Sequence, residues 1–109
     1  MKIEEAQKKV DDWIKLNGVR YFNELTNTAL LMEEIGELSR HIARKYGEQN
    51  YKKECDSTKL IKEEMGDVFF VLLCLCNQMG INLKNSLIES IDKKTKRDIN
   101  RHKRNKKLI

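Results

Sequence analysis

The sequence predicts an all-α, four-helix-bundle-like domain, and three observations carry that expectation. Proline is absent and there are only five glycines, too few turn residues for a β fold of this size. Aromatic residues make up 6% and charged residues 36%, a balance suited to helices with solvated outer faces. Apolar residues recur at three- and four-residue spacing in four stretches separated by short polar or glycine-containing connectors. At 109 residues the chain has material for one modest core, so a single domain is expected over residues 1–109, with a basic extension from about residue 98.

The first helix is expected over residues 3–16, where Ile3, Ala6, Val10, Trp13 and Ile14 form one stripe. Asn17 and Gly18 stop it, with Gly18 suited to a left-handed conformation at the helix end. A connector, residues 19–23, leads to a second helix that begins between Asn23 and Thr26 and runs to Tyr46, closed by Gly47. Its apolar positions are Leu30, Leu31, Ile35, Leu38, Ile42 and Ala43. A polar loop over residues 48–56 follows, and Asp56 or Ser57 can cap the third helix, residues 58–79. After Asp67 that helix reads VFFVLLCLCNQM, apolar on nearly every side, so it must be covered by its own bundle and by a second subunit. Gly80 ends it. Asn82 caps a fourth helix carrying Leu83, Leu87, Ile88 and Ile91, and loops this short favour antiparallel neighbours.

Several function classes are excluded or disfavoured. No apolar run reaches the roughly 18–20 residues that span a bilayer, and the N-terminus is too charged for a signal peptide. Three cysteines imply no disulfide framework; Cys74 and Cys76 lie in an apolar stretch, and a reducing, cytoplasmic setting is expected. Residues 93–109 hold nine Lys or Arg against Asp98 alone, a local charge of +8; since the whole chain carries +5, the first 92 residues carry −3. An acidic body with a basic tail suits an anionic ligand held by metal and cations together. The competing reading is a non-catalytic helical module whose tail contacts nucleic acid or an acidic partner. Nucleic acid is disfavoured, because the tail has no interleaved aromatics and follows no DNA-binding motif.

The chemistry lies in a local duplication. Residues 31–38, LMEEIGEL, and residues 61–68, IKEEMGDV, share one grammar: two acids, an apolar residue, glycine, an acid, an apolar residue. Every matched pair is 30 residues apart. Residues three and four apart on a helix share a face, so Glu34 points with Glu37, and Glu64 with Asp67. Glu33 and Glu63 stand beside Glu37 and Asp67. Packed antiparallel, the two helices bring these acids to one place, where crowded carboxylates repel one another or hold protons. A hard divalent cation relieves this, and oxygen-only ligands favour Mg²⁺, Mn²⁺ or Ca²⁺ over zinc. A di-iron bundle would need Glu-x-x-His on two helices, whereas His41 has no counterpart in the other repeat and, like His102, reads as a surface residue. Gly36 and Gly66, each costing about 1 kcal/mol within a helix, suggest close approach of helix, metal or substrate.

The Glu-Glu-x-x-Glu motif at 33–37, the Glu-x-x-Asp at 64–67, the apolar continuation and the turn MGINL at 79–83 resemble the MazG-like all-α nucleoside triphosphate pyrophosphohydrolases over roughly residues 20–97. The resemblance implies a helical fold assembled as a homodimer or a dimer of dimers. It implies cleavage of an NTP or dNTP between the α and β phosphates, with Mg²⁺, or Mn²⁺ in its place, held by Glu34, Glu37, Glu64 and Asp67. Glu33 or Glu63 would then orient or deprotonate the attacking water. Such proteins often carry Lys, Asn and Arg along the last helix, and here those places fall near Ser90, Lys94 and Arg97. Ser90 departs from the expected lysine, which leaves Lys93 and Lys94 to supply the charge. The base pocket in such proteins comes largely from the N-terminal region, which points to Trp13, Tyr21, Phe22 and Asn23. Trp13 lies on the apolar stripe, which favours core packing; for the connector residues packing and ligand roles stand equal.

Overall fold

The computed structural model describes all 109 residues. Four α-helices and no strand form: α1, Ile3–Trp13; α2, Glu24–Tyr46; α3, Ser57–Gln78; and α4, Leu83–Asp98. The predicted caps are in place. Asn23 Oδ1 accepts from the Thr26 amide at 2.8 Å, Asp56 Oδ1 from Lys59 at 3.1 Å, and Asn82 Oδ1 from Asn85 at 3.0 Å. Each satisfies one amide that a helix start leaves unpaired. At the end of α3, Gly80 takes φ +68°, and the amides of Gly80 and Ile81 return to the carbonyls of Asn77 and Cys76. This paired return requires the left-handed backbone that glycine adopts without a Cβ clash.

The first helix departs from expectation at its end. It leaves α geometry after Trp13 and continues as a π-helical turn, Ile14–Gly18. The positive φ falls on Val19 rather than Gly18, at φ 68° and ψ −56°. Arg20 donates its amide to the Gly18 carbonyl at 2.8 Å, closing a three-residue γ-turn around Val19. A β-branched residue there is strained.

The core is small. Val10, Ile14, Leu73 and Cys74 are buried together, with Ala6, Tyr21, Phe70 and Leu83 packed around them. The stripe of α1 thus meets the apolar half of α3. Polar side chains fasten the same contact. Gln7 donates to Asn77 Oδ1 and to the Ile81 carbonyl, at 3.1 and 2.8 Å, and accepts from the Leu83 amide at 3.0 Å. Asn77 donates to the Gln7 carbonyl at 2.8 Å and to the Tyr21 hydroxyl at 3.1 Å, and that hydroxyl donates to Asp11 at 2.6 Å. Burial, then the adjacent Asp11 carboxylate, pushes the Tyr21 hydroxyl up to about 12, so it stays a donor at all working pH.

The α3–α4 connection does not produce an antiparallel pair. The chain bends by 102° there, and α4 lies chiefly on α1. The radius of gyration is 17.7 Å, against about 13 Å for a compact chain of this length. The bundle is therefore open within one chain. Met65, Phe69, Leu87, Ile88 and Ile91 are all substantially exposed. No single helix is long and apolar enough to cross a membrane.

Val19 is 88% exposed, so its side chain contributes no packing. Replacing it with glycine removes a strain of roughly 1–3 kcal/mol and costs about 0.5–1 kcal/mol in chain entropy. Val19→Gly should raise the melting temperature by about 4 °C; a fall on differential scanning calorimetry would show the turn to be unstrained.

Candidate metal centre

The two longest helices, α2 and α3, run antiparallel. Asn27 bonds Gln78 at one end, Lys45 bonds Thr58 at the other, and Glu34 meets Glu64 between them. This packing turns the 30-residue repeat into a convergence of carboxylates. One oxygen each from Glu34, Glu37 and Glu64 lies within 4.8 Å of the other two. Glu34 and Glu64 are half-buried and Glu37 is exposed, so the cluster is rooted in the helix interface and opens outward. Glu34 Oε2 and Glu64 Oε2 are sealed from solvent with no hydrogen-bond partner. Burial, then the neighbouring carboxylates of Glu34 and Glu37, pushes the Glu64 carboxyl up to about 7. Three carboxylates this close are not all ionised without a counter-charge; a proton or a cation must join them.

A divalent cation fits these residues. Orphaned, desolvated carboxylate oxygens are costly unless something coordinates them, and a set made only of oxygens suits a hard ion. The nitrogen and sulfur donors of α2 and α3 are engaged or buried elsewhere. His41 is half-buried rather than a surface residue: Nδ1 lies 2.8 Å from the Tyr51 hydroxyl, and the two rings stack at 5.7 Å. Cys74 and Cys76 are buried in α3.

The remaining acids of the repeat stand apart. Asp67 shares the face of Glu64 one turn on, but it is exposed and outside the three-carboxylate cluster. Its side chain is one methylene shorter than the Glu37 it matches. Glu33 and Glu63 are exposed and also outside the cluster, since neighbouring helix positions do not share a face. Gly36 and Gly66 face open space, with no atom within 4 Å of a Cβ placed on either. Close approach of a helix in the same chain is therefore not their role.

A cavity of about 290 Å³ lies along the same helix pair, with none of the carboxylates in its lining. Trp13, Tyr21, Phe22, Asn27, Leu30 and Phe70 are among its lining residues. Leu30 lies one helical turn before Glu34, and Phe70 one turn after Asp67, so cavity and cluster share the α2–α3 surface. Trp13 is not a core residue. It is 51% exposed and meets Phe70 edge to face, with ring centroids 5.5 Å apart. The Tyr21 ring lines the cavity while its hydroxyl is held by Asp11 and Asn77. Asn23 does not line it; its side chain is spent on the α2 cap. Asn27 and Phe70 escaped the sequence reading, although Asn27 lies seven residues before Glu34 on the same face, a spacing that could have exposed it.

Lys94 and Arg97 are exposed on α4. Lys94 donates to Ser90 Oγ at 2.7 Å, and Arg97 forks onto Asp98 at 2.9–3.1 Å. From Asp67 to the end of α3, and again from Leu83 to Lys94, is about 16 Å of helix at 1.5 Å per residue. Across a 102° bend this leaves Lys94 about 20 Å from the acids of its own chain. The structure does not bring these cations to the carboxylates.

Carboxylates converging from two antiparallel helices, on the surface that also holds an aromatic-lined cavity, make a metal-competent site in an all-helical domain. The chain belongs to the MazG nucleotide pyrophosphohydrolase domain family, whose model matches residues 22–102; it is a hydrolase acting on nucleotide anhydrides. The Bacillus-conserved MazG protein, a nucleotide pyrophosphohydrolase, superposes with a TM-score of 0.73 at 34% identity, covering 85% of this chain and 88% of that one. The solved structure of YPJD from Bacillus subtilis gives a TM-score of 0.76 at 36% identity, covering 85% and 94%. In sequence the chain is 38% identical to the uncharacterized YpjD of Bacillus subtilis (strain 168) over 99 residues, 91% of this chain and 88% of that protein.

Folded Glu64 holds its proton up to about pH 7, whereas an ordinary glutamate releases it near 4.5. The folded state therefore binds the extra proton within that window and loses stability as pH rises through it. In chelator, the melting temperature of the wild type should fall from pH 5 to pH 8 relative to that of Glu64→Gln, and Mg²⁺ at pH 8 should close the gap. Parallel pH profiles for the two proteins would refute the shared proton.

Proposed function

We propose that the protein hydrolyses nucleoside or deoxynucleoside triphosphates between the α and β phosphates, releasing the monophosphate and pyrophosphate, as a nucleotide-pool housecleaning enzyme. The observation that carries this reading is the cluster of Glu34, Glu37 and Glu64, two of whose oxygens are sealed and unpartnered. Mg²⁺, with Mn²⁺ as substitute, is the cation these oxygens suit, and Asp67, exposed one turn on from Glu64, would complete the set as a fourth ligand. Bound there, the metal supplies charge neutralisation on phosphate and a water of lowered pKa. The chain's own residues do the remainder. The half-buried pair Glu34 and Glu64 fixes the position of the centre, and Glu37 faces the opening. Glu33 and Glu63, exposed beside the site, orient the attacking water. The cavity receives the base against Trp13 and Tyr21, within a ribose and a phosphate of the carboxylates; Asn23 holds the start of α2 in place for it.

The open bundle bears on assembly. Lys94 and Arg97 lie too far from their own carboxylates to touch the same phosphates, and the exposed apolar faces of α3 and α4 need cover. A homodimer or dimer of dimers meets both needs, with α4 of one copy supplying cations to the centre of another. Sedimentation should give at least twice the chain mass of 12.9 kDa; a monomer would remove this part of the reading.

A panel of NTPs and dNTPs, incubated with and without Mg²⁺ and assayed for pyrophosphate, tests the activity. Turnover should require the metal. Glu37→Gln and Asp67→Asn should each lower kcat/KM by roughly 100-fold or more, the loss of about 3 kcal/mol of charge stabilisation, with helicity by circular dichroism unchanged. Wild-type turnover in both variants would remove these residues from the metal site, and no pyrophosphate from any substrate would remove the activity.

A further inference from the structure

Asn27 is the one polar side chain in the buried set, 4% exposed on the face of α2 that lines the cavity. Its orientation is dictated by a carbonyl. The Phe22 carbonyl oxygen can only accept, and it takes Gln78 Nε2 at 2.8 Å and Asn27 Nδ2 at 3.3 Å. With its nitrogen committed there, Gln78 presents Oε1 to Asn27, which donates from the same Nδ2 at 2.7 Å. Turning either amide over would set oxygen against oxygen, so the assignment is unique. Both Asn27 N–H groups are thereby used, and Asn27 Oδ1 is left without a donor. That oxygen is not among the sealed orphan atoms, so the little surface Asn27 retains includes it, on the cavity it lines. A fixed hydrogen-bond acceptor stands in a wall otherwise made mainly of aromatic and aliphatic groups.

Such an acceptor discriminates between bases. Resting on the nucleotide reading above, we infer that Asn27 Oδ1 selects the base with an amino group over the base with an oxo group at the same ring position, cytosine over uracil or adenine over hypoxanthine. An amino group projects from the ring edge and reaches an acceptor on the wall with little else desolvated. The oxo group at the same position sets lone pair against lone pair. The ring N–H of uracil is recessed between two carbonyl oxygens, and bringing it to Oδ1 desolvates both at once against a lining whose free side-chain donors are Arg20 and the Trp13 indole alone. Asn27 lies seven residues, about 10 Å of helix, from Glu34, which leaves room for the sugar and first phosphate between base and cluster.

The test needs no catalysis. Trp13 is the only tryptophan in the chain and lines the cavity, so its fluorescence reports occupancy. Titrations in chelator with CMP against UMP, and AMP against IMP, should show the amino member binding roughly 10- to 100-fold more tightly in whichever pair the cavity admits. Equal affinities, preference for the oxo member, or no saturable response from any of the four overturns the inference. Asn27→Leu should bring the paired affinities within about twofold. If that variant does not fold, Gln78→Leu, which frees the Asn27 amide to turn, should erode the preference; a preference that survives in a folded variant also overturns it. The two readings fail separately. Amino selectivity without pyrophosphate release sinks the activity alone, and pyrophosphate release without base selectivity sinks the role of Asn27 alone.

Discussion

Carboxylates held at short range, with a proton or a cation needed between them, are the constraint around which this molecule is arranged. Glu34 and Glu64 meet at an antiparallel helix interface with Glu37 over them, and water reaches neither inner oxygen. Such a contact opposes folding, so the flanking contacts must hold α2 and α3 in register. Asn27 with Gln78 fastens one end of the pair, and Lys45 with Thr58 the other. The apolar half of α3, seated on the stripe of α1, contributes the burial that offsets the repulsion. The carboxylates thus sit in the part of the fold least free to relax, which suits a preorganised binding site.

Amides do comparable work at the cavity. Gln7, Asn77, Asn27 and Gln78 join three helices and the connector, and backbone carbonyls settle which way each amide points. Within the Asn27–Gln78 pair each hydrogen bond constrains the next, so the polarity of the cavity wall at Asn27 follows from where the Phe22 carbonyl lies. Packing and recognition here share the same side chains.

The helices were legible in the sequence because their signals are local. Asn23, Asp56 and Asn82 announce helix starts by side-chain chemistry alone, and Gly80 announces an end by its freedom at positive φ. The acidic cluster was legible because a 30-residue repeat and a 3.6-residue period together determine facing. What escaped depends on contacts between distant residues. The residue after Gly18, not Gly18 itself, took the positive φ, because the π-helical turn carried the chain one step further. Trp13 was on the apolar stripe, yet at the end of α1 the stripe runs past the core and the ring stands over a cavity. His41 pairs with Tyr51 across a loop that no periodicity describes. The direction of α4 depends on a 102° turn whose sequence would equally suit a hairpin.

The stitch between Gln7 and Asn77 has a consequence for the order in which the molecule assembles. It joins residues 70 positions apart, whereas α2 and α3 are joined through a ten-residue loop, residues 47–56. Loop-closure entropy favours early pairing of α2 with α3 and late docking of α1. The reverse path is also the easier local unfolding: α1 can lift from α3 while the helix pair that carries the carboxylates stays closed. The cavity loses Trp13 and Ile14 in that opening, and the acidic cluster loses nothing. The two halves of one site therefore belong to different cooperative units, and slow amide exchange in α2 beside faster exchange in α1 is how that division would register.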